Sequence, residues 1–283
     1  MSLQTLAAWL RCPNCFSDLE AVTDASPAAL GCENGHRFDV NRRGYVTLLP
    51  PRTRVVGDSA AMLDARAELL ESGAYAPIRD ALITAVRPSA PRTVLDSGTG
   101  TGWYLHGLLD GLGAPGAPAR GLASDLSPAA VARAVRGRDD VDGLVVDVHA
   151  ALPLRDGVAD AVTVVFAPRN LAEFARVLRP GGVLAVVVPR PEHLGELRAV
   201  SSMLDVPEGK AGALSLSLAR WFVPASARHV AYELELTSDR ARQLQGMGPS
   251  AHHASGSGDE AAQLPASVTV SVDVLTYERR PSA

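Results

Sequence analysis

Thr93-Val94-Leu95-Asp96-Ser97-Gly98-Thr99-Gly100-Thr101-Gly102 is the stretch on which the fold turns. Residues 93–95 read as a buried strand and 102–109 as a helix, with a glycine loop between them. Glycines at three alternate positions let the backbone turn sharply and approach a ligand at the helix N-terminus. A nicotinamide-binding unit wants G-x-G-x-x-G, but Trp103 holds the place of its third glycine. Asp96, two residues before the first glycine, can accept hydrogen bonds from the loop amides or from an ammonium group. D-x-G-x-G-x-G after a strand therefore favours S-adenosylmethionine over a dinucleotide.

Outward from this loop, strands and helices alternate. Strands are expected at 121–124, 141–146, 161–166 and 183–188. Helices are expected at 128–136, opened by Ser127 with Pro128 in its first turn, at 169–178, stopped by Pro180-Gly181-Gly182, and at 191–204. Two further helices, 59–71 and 77–86, precede the loop. This order means a doubly wound parallel α/β sheet. Runs 230–236 and 268–277 alternate apolar with polar, as an antiparallel edge pair would. Between them, 250–260 is small and polar, a composition expected of a mobile segment.

Asp125 closes the second strand, where a carboxylate can take both ribose hydroxyls. It lies 27 residues beyond Gly98, and an insertion at 111–119 explains the excess over the usual spacing. Asp147 ends the third strand, where an adenine amino group would sit. Each also has a plain reading as a helix cap or turn acid.

All three cysteines fall in the first 32 residues, and with His36 they form C-x2-C-x16-C-x3-H: Cys12, Cys15, Cys32 and His36. Three thiolates and one imidazole complete a closed tetrahedral shell, the structural kind of Zn2+ site. A redox C-x-x-C would open a helix in a thioredoxin-like unit, and none surrounds it. Short strands at 19–22, 29–32 and 37–40 fit around the metal in a small β module over 1–50, followed by a larger domain over 51–283. Residues 50–57 read as the linker. From Arg37 to Arg54 five arginines (Arg37, Arg42, Arg43, Arg52, Arg54) face one acid, Asp39, with Phe38 and Tyr45 interleaved. The stretch is either a solvated face or a grip on single-stranded RNA.

The whole chain has 283 residues, 47% hydrophobic and 20% charged, with a formal charge of −4. That excludes disorder, collagen-like fibre and a wholly basic nucleic-acid binder. No apolar run approaches the roughly 20 residues of a membrane helix. The N-terminal MSLQTLAAWLRC carries no basic leader before an apolar core, so a cytoplasmic protein is expected. Of 27 basic residues only Lys210 is lysine; codon bias in a GC-rich genome explains that, and arginine also suits bidentate phosphate contacts.

Several segments together resemble the bacterial 23S rRNA (guanine-N1) methyltransferases. They are the zinc pattern, Gly44-Tyr45-Val46-Thr47-Leu48-Leu49-Pro50, Gly57-Asp58-Ser59-Ala60 with Arg66, and Ser72-Gly73-Ala74-Tyr75. Phe166-Ala167-Pro168, Glu173 to Leu178 and Pro189-Arg190-Pro191-Glu192-His193-Leu194 complete the set. The resemblance covers most of the chain and loosens after residue 246. It implies a class I, Rossmann-like methyltransferase domain that uses S-adenosylmethionine, contacted by Tyr75, Gly102 with Trp103, and His193 beside Asp96, Gly98, Gly100, Asp125 and Asp147. It further implies a 23S rRNA hairpin as substrate, a homodimer whose cleft holds it, and resistance to tylosin-type macrolides.

Methyl transfer to guanine N1 requires loss of a proton whose pKa lies about two units above neutrality, roughly 3 kcal/mol at pH 7. Asp147, His149 and Arg169 are candidates to take it or to stabilise charge on O6. A small-molecule methyltransferase with a structural zinc, a non-catalytic RNA-binding module and an oxidoreductase are the rival readings.

Overall fold

The computed structural model describes residues 2–22, 26–50, 53, 57–113, 118–201, 203, 216–247 and 264–281. Arg52, Arg54 and the 250–260 segment lie outside the described residues. The chain opens with α1 (Leu3–Trp9), β1 (Glu20–Val22), β2 (Ala29–Gly31), β3 (Arg37–Asn41) and β4 (Tyr45–Thr47). Next come α2 (Ala60–Glu71), α3 (Ala76–Val86), β5 (Thr93–Ser97), α4 (Trp103–Leu112), β6 (Arg120–Asp125) and α5 (Pro128–Ala134). They are followed by β7 (Val141–Val145), β8 (Ala159–Val165), α6 (Leu171–Val177), β9 (Leu178–Pro189) and α7 (Gly195–Arg198). The described chain ends with β10 (Phe222–Glu235), α8 (Ser238–Gly246) and β11 (Ser267–Arg279).

One eleven-stranded sheet runs in the order β1-β2-β3-β4-β7-β6-β5-β8-β9-β11-β10. Its centre, from β4 to β9, is parallel. Val94, Leu95, Leu122, Val162, Val164 and Val186 are buried there, as strands covered on both faces require.

Three features refine the sequence reading. First, the expected antiparallel pair closes one end of the sheet, with β11 between β9 and β10 and antiparallel to both. The alternation of β11 arises because its polar side chains find partners inside. Ser271 donates to Glu192 at 2.7 Å, and Asp273 pairs with Arg190 at 3.2 Å. β10 is the outer edge at this end of the sheet, and β1 the edge at the other. Second, the helix expected at 191–204 shrinks to α7, entered through Leu194 in the left-handed region (φ 55°); residues 202 and 204 lie outside the described part.

Third, the cysteine module is continuous with the sheet. β4 pairs in parallel with β7 (Tyr45↔Gly143, Val46↔Leu144, Thr47↔Val145). Leu6, Leu10, Leu30 and Val46 share a core with Leu144, Leu152 and Leu154. Gly143 makes the close approach possible, since a Cβ there would lie 2.6 Å from Cβ of Tyr45.

Strand direction sorts the ends. The parallel strands end at the Gly98–Gly102 edge. The β2–β3 turn carrying Cys32 and His36 emerges from that same edge, four strands from β5, or about 19 Å at roughly 4.8 Å per strand. The β3–β4 turn with Arg42 and Arg43 leaves from the opposite edge.

Candidate functional site

Gly98, Gly100 and Gly102 all have left-handed φ (76°, 55° and 81°). A Cβ on Gly98 would sit 2.4 Å from Cβ of Ala167, so this turn closes directly onto the chain leaving β8. The amides of Gly98 and Thr99 both donate to the carbonyl of Ser124, at 2.9 and 3.0 Å. Above this loop opens a cavity of about 470 Å3, within the size range of small-molecule sites.

Asp96 sits at its floor, buried, accepting the Thr163 hydroxyl at 2.6 Å. Burial, opposed by that hydrogen bond, pushes its carboxyl up to about 6. Asp125 accepts the Gly100 amide at 3.0 Å through one oxygen and the Ser127 amide at 2.9 Å through the other. Burial raises its pKa as well, against the two amides and Arg66. Asp147 accepts the His149 amide at 2.9 Å, and both residues line the cavity. Asn170, the N-cap of α6, fixes this loop by donating to the carbonyls of Val148 and Ala150 at 2.9 and 3.1 Å. The N-cap spacing before Glu173 was the only sequence signal for Asn170.

The other half of the cavity is aromatic. Tyr75 is 1% exposed, and its ring lies 6.2 Å from Phe166 and 6.3 Å from His193. Phe166 and His193 are near-parallel, 18° apart in plane at 5.9 Å. The amide of Ser271 donates to Nδ1 of His193 at 3.2 Å, so the ring proton is on Nε2. Burial, with Arg198 adding to it, lowers this imidazole to about 4, and it is neutral at pH 7.

Of the cofactor residues expected from sequence, the structure gathers Tyr75, Asp96, Gly98, Gly100, Asp125, Asp147 and His193 around one cavity. Gly102 and Trp103 are not among its lining residues. The Trp103 ring instead stacks under the Arg79 guanidinium at 4.4 Å and edge-on to Tyr104; Tyr104, one position on, lines the cavity. Arg169 is half-buried outside the lining. Sequence reasoning gave no role to Arg66. It pairs with Asp58, donates to the carbonyl of Met247 at 2.8 Å and so ties three segments over Gly100.

The buried hydroxyls of Tyr75, Thr101 and Tyr104 have no hydrogen-bond partner among the described residues, and all three residues line this cavity. Burial raises both phenols, which therefore remain donors. A ligand carrying carboxylate and hydroxyl acceptors would satisfy them, and the flanking carboxylates suit ammonium and ribose hydroxyls. The residues present fit S-adenosylmethionine.

At the module end, Cys12, Cys15, Cys32 and His36 bring one ligand atom each within 4.8 Å of one another. Sγ of Cys15 and Cys32 are 3.7 Å apart, and Nδ1 of His36 is 3.5 and 3.4 Å from Sγ of Cys12 and Cys32. A zinc tetrahedron with bonds of about 2.3 Å to sulfur and 2.0 Å to nitrogen has edges of about 3.8 and 3.5 Å, so the four sites fit that ion. The Asn34 amide donates to Sγ of Cys15 and leads in drawing its thiol down to about 5, favouring the ligating thiolate.

The basic stretch divides on folding. Arg37, Arg42 and Arg43 are exposed, but Tyr45 is 8% exposed with its ring in the core and offers no face to RNA. β4 turns it inward to fill the space over Gly143. The aromatic side chain that the knuckle exposes is Phe16, with the Arg11 guanidinium 4.7 Å over its ring.

Comparison with known proteins bears on both ends. Residues 10–54 match the zinc-ribbon family described as "RlmA, N-terminal", and residues 95–186 match "Methyltransferase domain". The 23S rRNA (guanine(748)-N(1))-methyltransferase of Streptomyces fradiae is 41% identical over 254 residues, covering 88% of each chain. A Micromonospora griseorubida protein to which the 23S rRNA (guanine-N(1)-) reaction is assigned is 40% identical over 290 residues, covering 96% of this chain and 97% of its own. Among solved structures, the methyltransferase partnered by the Trm112 activator of Haloferax volcanii aligns over 81% of this chain and 100% of its own. Its 22% identity and TM-score of 0.54 speak to the fold alone. Among the described residues, no helix is long and apolar enough to cross a membrane.

Proposed function

The chain belongs to the 23S rRNA (guanine-N1) methyltransferase family, and on that premise we infer that it transfers a methyl group from S-adenosylmethionine to N1 of a guanine in 23S rRNA. The observation that carries this reading is the joining of two sites in one sheet: a Cys3His zinc site and a glycine-loop cavity open on the same edge. Rossmann-like methyltransferase domains of many substrates share the second; the pairing with the first, over most of the length of the rRNA-modifying relatives, supports rRNA as the substrate.

Bound S-adenosylmethionine supplies an electrophilic methyl group. We assign Asp96 to its ammonium, Asp125 to the ribose hydroxyls and Asp147 to the adenine amino group, with Tyr75, Thr101 and Tyr104 as donors. Alignment then supplies much of the rate. For the N1 proton, Asp147 and His149 remain the candidates on the cavity wall; neutral His193 offers an Nε2–H donor for charge on O6.

We further propose that the zinc module, residues 1–50, and the remainder divide the work between RNA recognition and chemistry, with Arg37 on the shared edge. The substrate is proposed to be a hairpin loop, where unstacking a base costs least. The enzyme is proposed to act as a homodimer in the cytoplasm and to protect the ribosome from tylosin-type macrolides.

The test is incubation of the protein with labelled S-adenosylmethionine and unmodified 23S rRNA, with the label mapped by primer-extension stops. A single stop at a guanine is expected, because N1 methylation blocks Watson–Crick pairing. Binding of the RNA without label transfer, or transfer only to small molecules, overturns the reading.

A further inference from the structure

We infer that Phe166 is the platform on which the target guanine stacks once it has left the RNA, an inference that rests on the rRNA methyltransferase reading. The side chain is 39% exposed although it lines a cavity whose other large apolar residues are mostly covered. Exposing a phenyl ring costs free energy unless a ligand covers it.

Its backbone supports this. Phe166 has φ 53°, a left-handed conformation that side chains rarely adopt. It is held there by its amide's 3.3 Å hydrogen bond to the Val187 carbonyl and by the packing of Ala167 on Gly98. Such outliers persist where the surroundings over-determine them, and they cluster at ligand sites. Here the outlier sits at the point where the chain leaves β8, immediately over the glycine loop.

Position within the cavity separates this surface from the cofactor's carboxylates. Asp125 ends β6 and Asp147 follows β7, on one side of β5; Phe166 and His193 follow β8 and β9, on the other. One half therefore offers carboxylates suited to hydroxyl and amino groups. The other offers the exposed phenyl of Phe166, backed by the buried, near-parallel imidazole of His193, which suits a flat, uncharged heterocycle. Guanine N1 lies on the edge that pairs in a duplex, so the base must be extruded before it reacts, and a flipped base is held by stacking.

The experiment compares two RNA fragments containing the mapped site, one with the target guanine and one abasic there, bound in S-adenosylhomocysteine to full-length wild type, Phe166→Leu and Phe166→Trp. Stacking is worth roughly 1–3 kcal/mol per base, or about five- to 150-fold in affinity. Wild type and Phe166→Trp should prefer the guanine RNA by that factor, and Phe166→Leu should bind both RNAs equally while keeping wild-type affinity for S-adenosylmethionine.

A guanine preference that survives in Phe166→Leu overturns the inference, as does equal binding of the two RNAs by wild type. A parallel loss of S-adenosylmethionine affinity also overturns it, by placing Phe166 in the cofactor cradle. If wild type methylates no guanine in 23S rRNA, the functional reading itself fails and takes this inference with it; failure of the guanine preference in an active enzyme refutes only the stacking role.

Discussion

The indole N–H of Trp9 donates a 3.1 Å hydrogen bond to the carboxylate of Asp142, which is fully buried near the start of β7. Thr5 on the same helix donates to the other oxygen at 3.0 Å, and Arg120 approaches at 3.4 Å. The first helix of the zinc module is thus fastened to a central strand of the methyltransferase sheet.

Trp9→Phe keeps most of the packing and removes one donor from a buried carboxylate. Stability should fall by about 1–3 kcal/mol, read as a lower urea midpoint with an unchanged slope. A midpoint within about 0.3 kcal/mol of wild type would show that the bond contributes nothing net.

Zinc is expected at one equivalent per chain, and Cys32→Ser should abolish it. Because β4 belongs to the main sheet, the effect will reach beyond the module. A melting temperature lower by roughly 5 °C or more is expected, at 2–4 °C per kcal/mol for a chain of this size. Elemental analysis and calorimetry on the same sample decide it.

Gly98→Ala places a Cβ 2.4 Å from Cβ of Ala167 in a left-handed backbone. It should cost about 1–3 kcal/mol and weaken S-adenosylmethionine binding by roughly tenfold or more. Gly100→Ala shares the left-handed backbone but meets a side chain, the Arg66 guanidinium at 3.1 Å, at a longer distance, and should be milder. Titration calorimetry giving the reverse order would show that loop closure on Ala167 does not set affinity.

Two buried groups give stability opposite dependences on pH. His193 is lowered to about 4, so the unfolded chain binds the extra proton between pH 6.5 and 4. Its contribution is fully present above 6.5 and is lost as pH falls, by about 3 kcal/mol. Asp96 is raised to about 6, so the folded chain binds the extra proton and stability falls as pH rises from about 4 to 6. The difference in unfolding free energy between wild type and His193→Gln should therefore grow from pH 4 to 7, and that between wild type and Asp96→Asn should shrink. Flat differences in urea melts would sink the argument.

Arg37 and Tyr45 should separate recognition from folding. Arg37→Ala should reduce the salt slope of RNA binding by about 0.7, the share of one phosphate contact on a single strand, at unchanged stability. Tyr45→Ala should lose about 3 kcal/mol of stability, with the folded fraction binding RNA as before.

The alternation of strands and helices, the glycine loop, the Cys3His cluster and most of the polar lining of the glycine-loop cavity were legible in the sequence. They depend on local spacing: Asp96 is fixed to Gly98 by two residues of chain, and Cys12 to Cys15 by one turn. What the spacing could not say was which side of an element would face inward. Tyr45 sits in a basic stretch yet packs over Gly143, 98 positions on, because β4 pairs with β7. Trp103 and Tyr104 are neighbours in the chain, but the helical turn sends one to Arg79 and the other to the cavity. Phe166 was one letter in a motif until its left-handed turn exposed it.

By itself, then, the sequence determined the chemistry available at each end of the chain: four soft ligands for a metal, and a carboxylate-flanked glycine loop for a methyl donor. Only the tertiary structure decided that the two ends form one sheet and open on one edge. The physical reason is that strand pairing joins backbones far apart in the chain, and neither hydropathy nor spacing records the partner. The buried faces of β4 and β7 decide it when they meet.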